Sequence, residues 1–191
     1  MNLFATVPEA KLTTLPGPGT AYGSIGVYAG DSYTNLYAPF LPGPINQNHH
    51  ISDSGASSSA SLSGTFNATG GNFSGSGMAS SPLTESSSAS SSFFIEFDVS
   101  RVTRYRLSGS ATKEASGNCL VRLRDLARGH SLYYQPSLVG TVDITGVLDC
   151  APHRLEIYGV AHSGTFNDGS QFPGNASFSF NIDLELLPGV P

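Results

Sequence analysis

Arginine side chains are concentrated in one stretch of the sequence. Seven of the nine basic residues lie between positions 101 and 128, and because only two acidic residues oppose them there, the stretch carries a net charge of +5. Guanidinium groups bind carboxylate, sulfate and phosphate through paired hydrogen bonds. Two strand-like runs, which we expect to be neighbours, place four of these side chains on polar faces: Arg104, Arg106, Arg122 and Arg124. The cluster predicts a binding patch for an anionic glycan or acidic polymer.

An alternative role for these arginines is structural. On a solvated strand face they would pair with carboxylates on neighbouring strands, and the candidates are Glu96, Asp98 and Glu156. Cross-strand pairs of opposite charge stabilise sheets.

Cys119 and Cys150 are the only two cysteines, and their spacing is neither a Cys-X-X-Cys motif nor a zinc pattern. We expect a Cys119–Cys150 disulfide, since both residues lie within or beside predicted strands and disulfides persist in oxidising compartments. Two reduced, buried thiols are the alternative.

Other polar motifs give weaker chemical signals. Gly30-Asp31-Ser32 is similar to the nucleophile block of one esterase group, but that group has a helix-rich fold and a differently spaced Asp–His pair, so we predict no enzyme activity. The five histidines have no zinc-like spacing, and we predict no metal centre. The run 167–170 resembles the middle of a calcium loop without its flanking acids. We expect no cofactor, and we keep a structural calcium ion as an alternative.

Phenylalanine and tyrosine supply the large aromatic rings, since tryptophan is absent. An exposed aromatic row could stack on sugar rings. Packing in the core or on a sheet face accounts for most of these rings equally well.

The elements that must position these residues are strands. Five runs alternate apolar and polar residues, which is typical of strands with one buried and one solvated face: 93–99, 103–109, 119–125, 153–162 and 177–186. Runs 21–37, 130–134 and 138–148 add further strands. Residues 52–92 contain 17 serines, and phenylalanines beside Gly70-Gly71 indicate thin strands over 57–80 rather than a linker. No segment has helical periodicity over three turns.

These patterns predict an all-β fold: one antiparallel two-sheet β-sandwich, jelly-roll-like, over 21–187, with an extended Pro/Gly-rich arm at 1–20 and a tail at 188–191. Only 12% of residues are charged, and the net charge is −5, which argues against nucleic acid as a partner. No run of 18 apolar residues exists, so we expect no membrane-spanning segment. The first six residues lack a secretory signal, and we expect a mature segment with an added Met.

One resemblance covers roughly 54–187. The Ser-rich stretch 54–92, followed by the strand-like runs 93–99, 105–110, 121–126, 151–157 and 176–184, resembles the extracellular portion of bacterial PEP-CTERM proteins, which exosortases sort to the cell surface. The family's Val-Pro-Glu-Pro motif and following membrane helix are absent from this sequence. The resemblance implies a secreted, biofilm- or exopolysaccharide-associated protein and supplies no catalytic residues.

Three functions remain as hypotheses. The first is a non-enzymatic extracellular protein of the bacterial surface or matrix, and the second is a carbohydrate-binding module for anionic glycans. The third is a self-assembling fibre subunit, in which the N-terminal arm adds a strand to a neighbouring copy. The expected partners are therefore polysaccharide or the protein itself.

Overall fold

The structure is a computed structural model, and it describes residues 13–14, 21–39, 44–67, 69–82, 85–114, 116–165 and 171–187. Strands are its only regular elements within those ranges. Their bounds are β1 Thr13–Thr14, β2 Ala21–Ala29, β3 Ser32–Pro39, β4 Ile45–Asp53, β5 Ala56–Asn67, β6 Gly70–Ser80, β7 Ser87–Asp98, β8 Thr103–Lys113, β9 Asn118–Asp125, β10 His130–Gln135, β11 Gly140–Leu148, β12 Pro152–His162, β13 Gly164–Thr165, β14 Gln171–Phe172 and β15 Gly174–Leu186.

The strands form two antiparallel sheets packed face to face, which confirms the predicted β-sandwich. Sheet A has the order β10-β9-β12-β7-β2-β3, with β1 also pairing with β7. Sheet B has the order β11-β8-β15-β6-β5-β4. β13 and β14 form a separate two-stranded ribbon. Each sheet buries the apolar half of its alternating strands, so the core lies between the sheets and both outer faces meet solvent.

The turns follow from residues that accept positive φ. Ser54 and Gly55, with φ of 52° and 85°, join β4 to β5, as expected for a two-residue hairpin. Gly30, with φ of 55°, makes the turn between β2 and β3. That turn fixes the register of the hairpin, in which Tyr28 lies opposite Tyr33.

The core tapers from one end of the sandwich to the other. At the thick end, phenylalanine rings pack across the two sheets, and the ring centroids of Phe73 and Phe93 lie 5.0 Å apart. At the thin end, most inward positions hold glycine, alanine or serine, and Val27 is buried among them. A Cβ added at Gly77 in β6 would lie 2.8 Å from the carbonyl oxygen of Ala89 in β7, so the two backbones approach closely there.

Serines also line this thin end. Ser81, Ser87 and Ser163 are buried, and their hydroxyls contact one another at 2.6 and 2.9 Å around Ser163. The hydroxyls of two further buried serines, Ser58 and Ser91, find no hydrogen-bond partner.

The predicted arm lies mostly outside the described residues, as does the tail at 188–191. Thr13 and Thr14 pair with Asp98 and Phe97 of β7. No helix of the described residues has the length and hydrophobicity needed to cross a membrane.

Candidate functional site

The four candidate arginines do not form one patch. Arg104 and Arg106 lie on β8 of sheet B, whereas Arg122 and Arg124 lie on β9 of sheet A. All four alternate with core residues, so each pair faces outward from its own sheet. The expectation that the two strands are neighbours in one sheet is wrong, because the chain crosses from sheet B to sheet A between β8 and β9. The two pairs therefore point in opposite directions.

Three of the four arginines are ion-paired, which supports the structural alternative. Arg104 donates to Glu185 at 3.1 Å, and Arg106 donates two bonds of 2.8 Å to Asp143. The hydrogen bond and charge of Arg106 lower the pKa of the Asp143 carboxyl below its usual value. Arg122 lies 3.9 Å from Glu156. Arg124 has no ion pair with any described residue, and its buried Nε has no hydrogen-bond partner.

The predicted disulfide is also wrong. Both cysteines are free: Cys119 is buried and Cys150 is exposed. Cys119 lies opposite Gly159 on β12, whereas Cys150 precedes the first residue of that strand, Pro152. The length of β12 between Pro152 and Gly159 separates them by more than ~20 Å, and a disulfide needs Cα atoms within about 7 Å.

Ser32 of the esterase-like motif lies far from His153, the candidate base that follows Asp149 in the sequence. Ser32 donates to Asp53 at 3.1 Å, and both lie at the thin end of the sandwich. His153 is fully buried at the thick end, where its Nδ1 lies 2.8 Å from the Ala151 carbonyl and its Nε2 has no partner. About ten residues of β7 separate the two positions, which corresponds to ~30 Å. Burial lowers the pKa of the His153 imidazole.

Metal-binding side chains do not converge in the described part of the chain, where no group of three His, Cys, Asp or Glu could hold an ion. The calcium-like run 167–170 lies outside the described residues.

A different set of residues comes together on the outer face of sheet A. Four tyrosines project to the same side of the β2–β3 hairpin, and we call them the tyrosine face: Tyr22, Tyr28, Tyr33 and Tyr37. Tyr33 and Tyr37 are 64% and 65% exposed. They are the most exposed of the large hydrophobic side chains in the described ranges.

Between the outer tyrosines the surface is low and polar. Asn35 lies between Tyr33 and Tyr37 on β3, and its neighbour across the hairpin is Gly26, which has no side chain. The side-chain amide of Asn35 donates a hydrogen bond of 2.7 Å to the Tyr37 hydroxyl. Ser90 follows Gly26 in the same cross-strand row. We call this row of polar positions, which lies between the tyrosine rings, the trough.

A cross-strand ladder supports one side of this trough. Tyr22 contacts Tyr37 edge-on at 6.1 Å and stacks on Phe94 at 5.1 Å. The guanidinium of Arg154 covers the other face of Phe94 at 4.5 Å and is held by Glu96. These contacts immobilise Tyr22 and leave Tyr37, at the end of the ladder, with a free surface.

A second ring lies at the opposite edge of the same sheet. Tyr134 on β10 is 50% exposed and packs against Arg122 at 5.2 Å. It is separated from β3 by the full width of sheet A, about 24 Å at the usual strand spacing.

The outer face of sheet B is polar and nearly free of aromatic rings. Serine, threonine and asparagine side chains occupy adjacent positions across its strands, for example Ser63, Ser74, Ser179 and Ser110 in one row. A depression of about 190 Å³ near the end of the sheet is lined by Thr65, Asn67, Asn72, Asn181 and Asp183.

The sequence carries a signal for the tyrosine face in the turn between β2 and β3. The two-residue turn Gly30-Asp31 fixes the hairpin register, and the parity of positions 22, 28, 33 and 37 then places all four rings on one side.

Comparisons with known proteins add no assignment. No family model matches the chain, and no curated protein matches it. Among solved structures it is similar to the enzymatically active domain of Bacteriophage CBA120 tailspike protein 4, with 14% identity and a TM-score of 0.29. The match covers 65% of this chain and 19% of that one, so the chain spans about a fifth of that structure. A likeness at this level indicates neither a shared fold nor a shared activity.

Proposed function

We propose that this is a non-enzymatic extracellular protein of the bacterial surface or matrix that binds neutral polysaccharide on its tyrosine face. The observation that carries the proposal is the exposure of Tyr33 and Tyr37 on one strand, 64% and 65%, on either side of a polar floor.

The chemistry of the trough suits a sugar chain. A pyranose ring presents C–H groups on its faces, which pack against aromatic rings, and hydroxyls at its edges, which need hydrogen-bond partners. Tyr33 and Tyr37 supply the rings, while Asn35 and Ser90 supply polar groups between them. Binding sites commonly combine apolar and aromatic surface with a few oriented polar groups in this way.

Charge favours a neutral rather than an anionic glycan. Arg104 and Arg106 lie on the opposite face of the sandwich and are paired with carboxylates. Arg154, the cation of the aromatic ladder, is held by Glu96. The chain as a whole carries a net charge of −5, which repels acidic polymers.

The extracellular part of the proposal is supported by composition and by the PEP-CTERM resemblance. Charged residues make up only 12% of the chain, and hydroxyl groups provide much of its polar surface.

Binding to immobilised neutral polysaccharides, such as a β-glucan and a mannan, tests the proposal. We expect Tyr37→Ala and Tyr33→Ala each to weaken binding about tenfold, which corresponds to roughly 1.4 kcal/mol. Tyr37→Phe keeps the ring and should retain most of the affinity. Tyr134→Ala is the matched control, since it removes an exposed ring of the same sheet at the opposite edge and should leave binding unchanged.

Two results would overturn the proposal. One is the absence of binding to any neutral glycan on an array, and the other is an equal loss of binding in Tyr134→Ala and Tyr37→Ala. Preferential binding to acidic glycans, reduced by Arg122→Glu, would instead support the anionic-glycan hypothesis.

A further inference from the structure

We infer that the free edge of β11 pairs with β11 of a second copy, which gives a symmetric dimer with a continuous sheet B. The inference goes beyond polysaccharide binding and does not depend on it. It rests on a comparison of the four strands that end the two sheets within the described residues: β3 and β10 in sheet A, and β4 and β11 in sheet B.

Three of these edges carry features that discourage pairing. β10 has six residues and a register irregularity between Ser131 and Tyr133, and β3 ends at Pro39, which donates no backbone hydrogen bond. β4 has two adjacent histidines and a terminal aspartate in Asp53. Bulges, prolines and charged side chains are the usual means by which proteins protect a sheet edge.

β11 has no bulge and no proline, and its one charged side chain is Asp143. It pairs with β8 over nine residues without a register shift, and it contains no proline, lysine or arginine. Five of the nine residues are β-branched, against two of nine in β4. β-branched residues favour strands, so this edge is preformed for a further partner.

Exposed apolar side chains accompany the free edge. Val147, near the end of β11, is 49% exposed, and Val139, just before the strand, is 61% exposed. The single charge of β11, Asp143, is neutralised by the two hydrogen bonds from Arg106 of its own sheet. The edge therefore presents backbone groups and valine side chains without uncompensated charge.

The strand is complementary to itself. Antiparallel pairing of all nine residues with a second copy places Ile144 on the two-fold axis and Asp143 opposite Thr145 of the other copy. Thr141 then lies opposite Val147, so no like charges face each other in this register. A shift by two residues in one direction would bring the two Asp143 carboxylates together.

The symmetry determines where the tyrosine faces lie. The two-fold axis of an antiparallel edge pair is perpendicular to the sheet, so the outer faces of both copies of sheet A point to the same side. β3 is at the far edge from β11 in each copy. The dimer would thus carry two tyrosine faces on one side, about 55 Å apart at the usual strand spacing.

Two substitutions at one exposed position test this register. Thr145→Asp places a carboxylate opposite Asp143 of the other copy twice in each dimer, and we expect the dimer Kd to rise at least about tenfold. Thr145→Lys places an ammonium opposite the same carboxylate, and the Kd should stay the same or fall. Sedimentation equilibrium over a range of concentrations measures both, with far-UV circular dichroism to verify that each variant is folded. Neither substitution touches the tyrosine face. A failure of the dimer inference therefore leaves the proposed polysaccharide binding intact, and a failure of polysaccharide binding leaves the dimer inference intact.

Three outcomes would overturn the inference. The first is a wild-type chain that remains monomeric up to millimolar concentration. The second is an equal Kd for Thr145→Asp and Thr145→Lys, which would place the contact elsewhere. The third is a dimer that is lost when residues 1–12 are deleted, since that result would assign the interface to the N-terminal arm.

Discussion

Two buried serines at the thin end provide a sharp test of the core. Ser91 and Ser163 differ in the partners of their hydroxyls: the Ser91 hydroxyl has none, whereas Ser163 Oγ contacts the hydroxyls of Ser81 and Ser87 at 2.6 and 2.9 Å. Ser163 Oγ also accepts a 3.1 Å bond from the Ser87 N–H. Replacement of either serine by alanine deletes one oxygen atom, yet we expect effects of opposite sign.

The magnitudes follow from hydrogen-bond satisfaction. Ser91→Ala removes a hydroxyl that loses its hydrogen bonds to water on folding and forms none within the protein. The substitution should therefore stabilise the protein by about 1 kcal/mol. Ser163→Ala leaves the buried Ser87 N–H without an acceptor and breaks the hydroxyl cluster, so it should destabilise the protein by roughly 2–3 kcal/mol.

Urea unfolding of the wild type and both variants, followed by circular dichroism, measures the free energy of unfolding. The m-value should be unchanged, because neither substitution alters the surface exposed on unfolding. The reasoning is refuted if Ser91→Ala destabilises the protein as much as Ser163→Ala does, since the two hydroxyls would then be equivalent.

Two further predictions concern His153 and the cysteines. Burial lowers the pKa of His153, so below pH ~6.5 the native state binds fewer protons than the unfolded state. The free energy of unfolding should therefore fall as the pH drops below ~6.5, by at most about 1.4 kcal/mol per pH unit. His153→Leu should flatten that slope between pH 7 and 5 in urea titrations, and an unchanged slope would contradict the assignment. In the native protein a maleimide should label the exposed Cys150 within minutes and should reach Cys119 only on unfolding, because Cys119 is buried and burial raises the pKa of its thiol. Mass spectrometry of the folded Cys150→Ser variant after treatment with maleimide should therefore show no label.

The sandwich was predictable because the alternation of apolar and polar residues is a local property. The last strand shows this well: Phe178, Phe180 and Ile182 are buried, as their spacing predicts. The same reasoning was incomplete at β7, which was expected to begin at Phe93 but begins at Ser87. Serines occupy both faces of its first half, so the apolar alternation that identifies a strand is absent there. β4 was missed as a strand for a related reason, since its polar residues outnumber its apolar ones.

The arginine patch was not predictable, because alternation assigns a residue to a face but not to a sheet. Arg106 and Arg122 both point outward as expected, yet they belong to different sheets. Which strands become neighbours depends on pairings between distant parts of the chain, such as β8 with β15 and β9 with β12. The disulfide prediction failed for the same reason: both cysteines adjoin strands, but Cys119 lies opposite Gly159 towards the end of β12, whereas Cys150 precedes the first residue of that strand.

The taper of the core has a thermodynamic consequence. Positions such as Gly77 and Ala89 bring the sheets together while burying little apolar surface, so unfolding exposes less of that surface than in a sandwich filled with large side chains along its whole length. The heat capacity change of unfolding should therefore lie below the usual value of about 12–15 cal/mol/K per residue. A small heat capacity change flattens the dependence of stability on temperature, so this protein should retain its fold unusually well in the cold.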